Sequence, residues 1–176
     1  MKALAPTLAL AALAFAVATP SFAALKVGDP APDFQLPAAT NGKVANFSLK
    51  AALKKGPVVV YFYPKAFTGG CSLEAHEFSE AMPKFAAKHV TVVGVSGDDI
   101  EVLKKFSAET CAGKFPVAAD PHAVASIQYD AKIPFTPMAN RISYVVGQNG
   151  KIAFVHDDPD AATHVSSLLT AVGAGK

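Results

Sequence analysis

The chain has 176 residues, 51% of them apolar and 17% charged, a composition that excludes a disordered polymer and fits one ordinary domain. Its 16 Lys and Arg against 14 Asp and Glu leave a net charge of +2, too small for electrostatic capture of nucleic acid. Two cysteines, Cys71 and Cys111, are too few for an all-cysteine zinc site or a disulfide-stapled miniprotein.

Lys2 gives a short positive start, and an Ala- and Leu-rich run follows from Leu8 to Val17. Pro20 closes it, and Ser21 and Ala23 supply the small-x-small pattern that a signal peptidase cleaves. Residues 1–23 are therefore expected to be a cleaved leader of bacterial type; the competing reading is an uncleaved membrane anchor, since no charge occurs between Lys2 and Lys26. Residues 24–176 are expected to be a periplasmic domain with no stable membrane association, in a compartment where disulfides persist.

From Ala24 onward, strand and helix patterns alternate. Asp33–Leu36 and Lys43–Phe47 form a hairpin across the Asn41-Gly42 turn. Ser48 caps a short helix, Leu49–Lys54, which Gly56-Pro57 breaks. Val58–Tyr63 is β-branched and aromatic without alternation, the mark of a strand buried on both faces. A loop over residues 64–70 leads into a helix from about Cys71, with Phe78, Met82 and Phe85 on one face; Pro83 inside it predicts a kink. Val90–Val95 is a second buried strand. Asp98 and Glu101 are spaced as a capping box for a helix over Ile100–Thr110. A short strand at Val117–Ala119, a hairpin from Ser143–Gly147 and Ile152–His156, and a helix around Val165–Val172 complete the chain. The order predicts an α/β fold, a central mixed sheet with helices on both faces.

The chemistry concentrates where Val58–Tyr63 ends. Cys71 follows a loop containing Gly69 and Gly70 and starts a helix. A helix N-terminus carries unpaired N–H groups and partial positive charge, both of which favour a thiolate over a thiol. On position alone Cys71 is either a nucleophile or a small buried hydrophobe. Thr68, one helical turn earlier, is a turn residue whose hydroxyl can curl back to the sulfur; Pro64 ends the strand and can shield the site.

The string Pro64-x-x-x-Thr68-x-x-Cys71 after an apolar strand resembles the active-site motif of the peroxiredoxins, thiol peroxidases of thioredoxin-like fold. Tyr61-Phe62-Tyr63-Pro64-Lys65 and Gly70-Cys71-Ser72-Leu73-Glu74-Ala75 are most similar to the Q-type, or bacterioferritin-comigratory, branch. The likeness extends from the Gly28–Phe34 opening, through Phe115–Asp120, to Arg141–Val146. It implies that Cys71 is the peroxidatic thiolate, that Thr68 hydrogen-bonds sulfur and substrate, that Pro64 excludes water, and that Arg141 stabilises thiolate and leaving oxygen. It also implies a hydroperoxide substrate, a thioredoxin-like or other thiol reductant, no cofactor or metal, and a monomer or weak dimer.

Many Q-type members carry a second cysteine five residues after the first, where this chain has His76. Some place it instead on the helix that here ends near Cys111. The resemblance therefore implies a Cys71–Cys111 disulfide after sulfenic acid formation. An inert Cys111 and a permanent structural disulfide remain alternatives. A disulfide oxidoreductase would need a cysteine at Glu74, and a copper carrier of this fold would need one at Ala75. His89, His122, His156 and His164 are scattered without metal-ligand spacing, and His156-Asp157-Asp158 reads as a hydrophilic turn.

Overall fold

The computed structural model describes residues 24–174, so the expected leader lies outside the described residues. Seven strands form one mixed sheet in the order β2-β1-β5-β4-β3-β6-β7. The strands are β1 Gln35–Thr40, β2 Lys43–Ser48, β3 Val58–Phe62, β4 Thr91–Ser96, β5 Val117–Ala119, β6 Ile142–Val146 and β7 Ile152–Asp157. β3, β4 and β5 run parallel; β6 returns antiparallel beside β3. The expected hairpin is present, displaced two residues along its first strand. Its turn residues Asn41 and Gly42 both have positive φ (49° and 73°), the primed geometry that suits the twist of paired strands. The hairpin is not a separate ribbon: Ala38 and Ala39 pair with Ala118 and Val117, so β1 and β2 extend the main sheet.

Five α-helices flank the sheet: α1 Leu49–Leu53, α2 Gly69–Ala86, α3 Ile100–Glu109, α4 Val124–Gln128 and α5 His164–Ala174. Period-two alternation along β3 divides the core. Val59, Tyr61 and Tyr63 pack with α2, α3 and α5, while Val58, Val60 and Phe62 pack with α1 and α4. Every residue of β3 is buried, as its unbroken apolar sequence requires. Ser48 caps α1 through its hydroxyl, which accepts from the Ala51 N–H at 3.2 Å.

α2 continues through Pro83 as one helix: the Pro83 carbonyl still accepts from Ala87, so only the proline's own N–H is missing from the ladder. One local expectation fails. Asp98 does not cap α3. Asp99 occupies the cap position without a side-chain bond, and the Asp98 carboxylate is committed elsewhere, as described below.

The aromatic half of the core leaves no slack. Tyr61 stacks on Tyr63 and Phe78, with centroids 5.4 and 4.2 Å away, and a Cβ added at Gly94 would meet its ring and hydroxyl at 2.7 Å. The ring cannot swing aside. Gly94→Ala is expected to destabilise the domain by about 1–3 kcal/mol. The check is urea unfolding, with a lowered midpoint at unchanged slope.

Candidate active site

Strand topology brings the site together. The parallel strands β3 and β4 both end at the same edge of the sheet, and β6 begins there because Phe62 pairs with Ile142. The loop after β3, the turn after β4 and Arg141, one residue ahead of β6, are therefore neighbours before any side chain is considered. α2 starts at Gly69 and places Cys71 in its first turn, only 2% exposed.

Arg141 holds this junction. Its Nη2 donates to Cys71 Sγ at 3.3 Å, its Nη1 donates to Glu74 Oε2, and its Nε donates to the Pro159 carbonyl at 3.2 Å. A planar guanidinium spreads five donors over three nitrogens and so reaches separated partners in fixed directions, whereas an ammonium's three donors radiate from a single nitrogen. Gly70 admits it: a Cβ there would lie 3.3 Å from Arg141 Nη2, tighter than an ordinary contact. Arg141 was expected from the resemblance to stand near Cys71, and it does.

Thr68 occupies the N-cap position of α2, but its hydroxyl donates to the Lys65 carbonyl at 2.9 Å instead of reaching Cys71. The expected Thr68–Cys71 bond is thus replaced by a local turn, the usual competition for a threonine three residues beyond a carbonyl. With its proton committed, the oxygen remains an acceptor for an incoming O–H. Pro64 is half-buried at the end of β3. The intervening loop is tied down by Asp98, whose Oδ2 accepts from the Ala66 N–H at 2.8 Å and from Ser96 Oγ at 2.9 Å.

Cys111 lies just beyond α3, fully buried, in the same core cluster as Cys71. Both thiols are free. Burial pushes the Cys111 thiol up to about 12. Its carbonyl accepts from Ser79 Oγ at 3.1 Å. Ser79 is two turns along α2 from Cys71, about 12 Å down the helix axis. Ala112 and Gly113 follow with positive φ, 47° and 66°, a sharp exit from α3. His76 is exposed on α2, a solvated helix residue.

Two residues of the site escaped the sequence reading. Glu74 is fully buried on Arg141, and burial, opposed by Arg141, pushes its carboxyl up to about 8. Its signal was available: Glu74 stands one turn after Cys71 on the same helical face. His164, passed over as scattered, is also fully buried, with Nδ1 2.8 Å from Ser143 Oγ. Arg141 and Ser143 alternate onto one face of β6, but nothing in the pattern reveals His164 at the start of α5. His156 belongs to β7 and not to a turn; its Nε2 is 2.8 Å from Thr163 Oγ1.

Comparison with known proteins establishes the family. The family model described as the AhpC/TSA family matches residues 27–155. Peroxiredoxin Bcp of Escherichia coli K12 is 32% identical over 151 residues, covering 82% of this chain and 94% of that protein. A bcp peroxiredoxin of Helicobacter pylori is 45% identical over 85 residues, 48% of this chain and 53% of that protein, so the match spans about half of that relative. The crystal structure of peroxidoxin BcpB from Mycobacterium tuberculosis superimposes with a TM-score of 0.79 at 28% identity, covering 86% of this chain and 99% of that one. The chain belongs to the AhpC/TSA family, and within it to the Bcp, or Q-type, peroxiredoxins.

Asp98 gives a test of how the loop is held. Asp98→Ala strands the Ala66 N–H and frees the segment between Pro64 and Thr68. The rate of Cys71 oxidation by peroxide is expected to fall by about 10- to 100-fold, the usual effect of slight misplacement. Asp98→Asn, which keeps an acceptor oxygen, is expected to recover most of it.

Proposed function

We propose that this peroxiredoxin reduces hydrogen peroxide and organic hydroperoxides with Cys71 as the attacking thiolate. The observation that carries the reading is the Arg141 guanidinium on Cys71 Sγ, 3.3 Å away, at the N-terminal turn of α2. Displacement at an O–O bond needs a deprotonated sulfur and donors where negative charge grows. The sulfur attacks the terminal peroxide oxygen, the S–O bond forms and the O–O bond breaks. The departing alkoxide or hydroxide takes a proton from solvent, leaving alcohol or water and Cys71 as sulfenic acid. Arg141 faces the sulfur throughout. Thr68, its hydroxyl donating to the Lys65 carbonyl, accepts the substrate O–H, and Pro64 limits water on the β3 side.

Cys111 then resolves the sulfenic acid: its sulfur bonds to Cys71 Sγ, and the sulfenic oxygen leaves as water. A thiol reductant of thioredoxin type returns the disulfide to two thiols. Support for Cys111 is its free thiol in the core cluster shared with Cys71. Its carbonyl is anchored two turns along α2, so resolution requires the start of α2 and the end of α3 to open. The opening also releases the thiol from its buried environment toward an ordinary value of about 8.5, where it becomes nucleophilic.

Export through the 1–23 leader, to a periplasmic site of action, completes the proposal. Lys2, the Leu8–Val17 run and the Ser21/Ala23 pair support it. The reductant would then be an exported thiol donor. On cell fractionation the protein should be recovered from the periplasm with its N-terminus at Ala24; recovery from the cytoplasm with Met1 intact would contradict export.

The cycle is tested by intact mass and free-thiol count on residues 24–176 before and after one equivalent of hydrogen peroxide. Loss of both thiols with a mass fall of about 2 Da is expected. A gain of about 16 or about 32 Da with Cys111 still free would remove Cys111 from the cycle and assign resolution to an outside thiol. Because opening precedes disulfide formation, dilute urea is expected to accelerate the second step without accelerating the first. No reaction of Cys71 at all would overturn the peroxidase reading.

A further inference from the structure

The centre is backed by a buried cluster that the reaction as written does not use. Glu74 Oε2 receives Arg141 Nη1, but Glu74 Oε1 has no hydrogen-bond partner among the described residues. Oε1 lies 3.6 Å from His164 Nδ1, and both side chains are fully buried. The ring's other nitrogen, Nε2, is 2.8 Å from the Asp158 carbonyl oxygen. A carbonyl only accepts, so Nε2 carries the hydrogen, and in the neutral ring Nδ1 presents a lone pair. Ser143 Oγ, 2.8 Å from Nδ1, can donate to that lone pair or accept from a protonated ring, since a hydroxyl rotates. An ionised Glu74 would set Oε1 against the Nδ1 lone pair in a site without water contact. A proton on the carboxyl removes the conflict.

We propose that Glu74 and His164 retain, beyond the Nε2–H, one further proton at neutral pH, carried on Glu74, and that this leaves the charge of Arg141 available to Cys71 and to the leaving oxygen. The inference rests on Cys71 being the attacking thiolate. A protonated Glu74 still accepts from Arg141 through its carbonyl oxygen but does not neutralise the guanidinium. An ionised Glu74 does neutralise it, in competition with the sulfur. His164 is thus a positioning residue. Its committed Nε2–H fixes the ring, and its Nδ1 faces the acid. Burial supports this assignment, raising Glu74 and lowering His164 from their ordinary values.

The other groups bearing on the pair come from every element around it. Arg141 faces Glu74 from the start of β6, and Glu77 follows it on α2. His156 of β7 lies edge-on to the His164 ring at 4.5 Å; Asp158 and Arg141 also act on that ring. Glu77 is itself influenced by Asp160 and His76. None of these supplies Oε1 with a hydrogen bond.

The sign follows directly. Below about 8 the proton is present and Arg141 serves Cys71; above it, Glu74 draws on the guanidinium. The rate of Cys71 oxidation by hydrogen peroxide, divided by the thiolate fraction, should fall about tenfold as pH rises through this value. Thiolate fraction is read by ultraviolet absorbance. Alkylation of Cys71 by iodoacetamide, followed on its peptide by mass spectrometry, should persist through the same range. Glu74→Gln mimics the protonated acid: its amide oxygen accepts from Arg141 and its N–H faces His164 Nδ1. This variant should lose the alkaline fall. On the unmodified protein at neutral pH, infrared difference spectra should contain a protonated-carboxyl band that titrates near 8, and nitrogen NMR should find His164 as the neutral Nε2–H tautomer. A doubly protonated His164 with no such band, or an alkaline fall unchanged in Glu74→Gln, would overturn the proposal. If peroxide fails to react at any pH, the peroxidase reading falls, while the infrared and NMR results still decide where the proton is.

Discussion

A guanidinium has five N–H donors in one plane and accepts nothing, so a largely buried one dictates its surroundings. Arg141 has a side chain only 10% exposed and supports three partners from three parts of the chain: Cys71 and Glu74 on α2, and the Pro159 carbonyl after β7. Moving any of these elements breaks a charge-assisted bond. The antiparallel register of β6 against β3 therefore matters to chemistry, because Phe62 opposite Ile142 is what sets Arg141 beside the loop carrying Thr68. Gly70 is the matching concession in the backbone, without a side chain where the guanidinium comes closest.

A second constraint acts at the neighbouring strand end. Ser96 and Asp98 follow β4 as a polar turn, and Asp98 holds the Ala66 N–H of the active-site loop. Gly97 between them lets the Pro137 carbonyl pack so closely that a Cβ would stand 2.0 Å from it. The turn thus links the loop before Cys71 to the loop before Arg141. The part of the site around Arg141 is built at strand ends, whereas the start of α2 and the exit of α3, which the proposed disulfide step would open, are built from helix ends and, at Ala112 and Gly113, positive-φ residues.

Much of this was legible in the sequence because the determinants were local. An unbroken apolar run gave β3, Asn41-Gly42 gave the hairpin turn, and Ser48 gave the α1 cap. The motif around Cys71 pointed to Thr68, Pro64 and Arg141 through resemblance to a family. What was misread depended on competition between partners. Asp98 had the spacing of a cap, yet an unpaired N–H at Ala66 claimed its carboxylate. Thr68 had the spacing to reach the sulfur, yet its hydroxyl donates to the Lys65 carbonyl. His164 had no signal, since its importance arises only when α5 packs against α2 and β6 and buries its ring beside Glu74.

The central claim is that Arg141 makes Cys71 a peroxidatic thiolate. It is tested most directly by the second-order rate constant for Cys71 with hydrogen peroxide in the wild type and in Arg141→Lys. The chain has no tryptophan to report oxidation, so the rate is read by competition with a second peroxidase or by quenching and mass spectrometry. Lysine retains the charge but lacks the three separate nitrogens with which Arg141 meets Cys71, Glu74 and the Pro159 carbonyl. The account predicts a loss of about 100- to 1000-fold in a variant that remains folded, as judged by circular dichroism. An unchanged rate in a folded Arg141→Lys protein would contradict it.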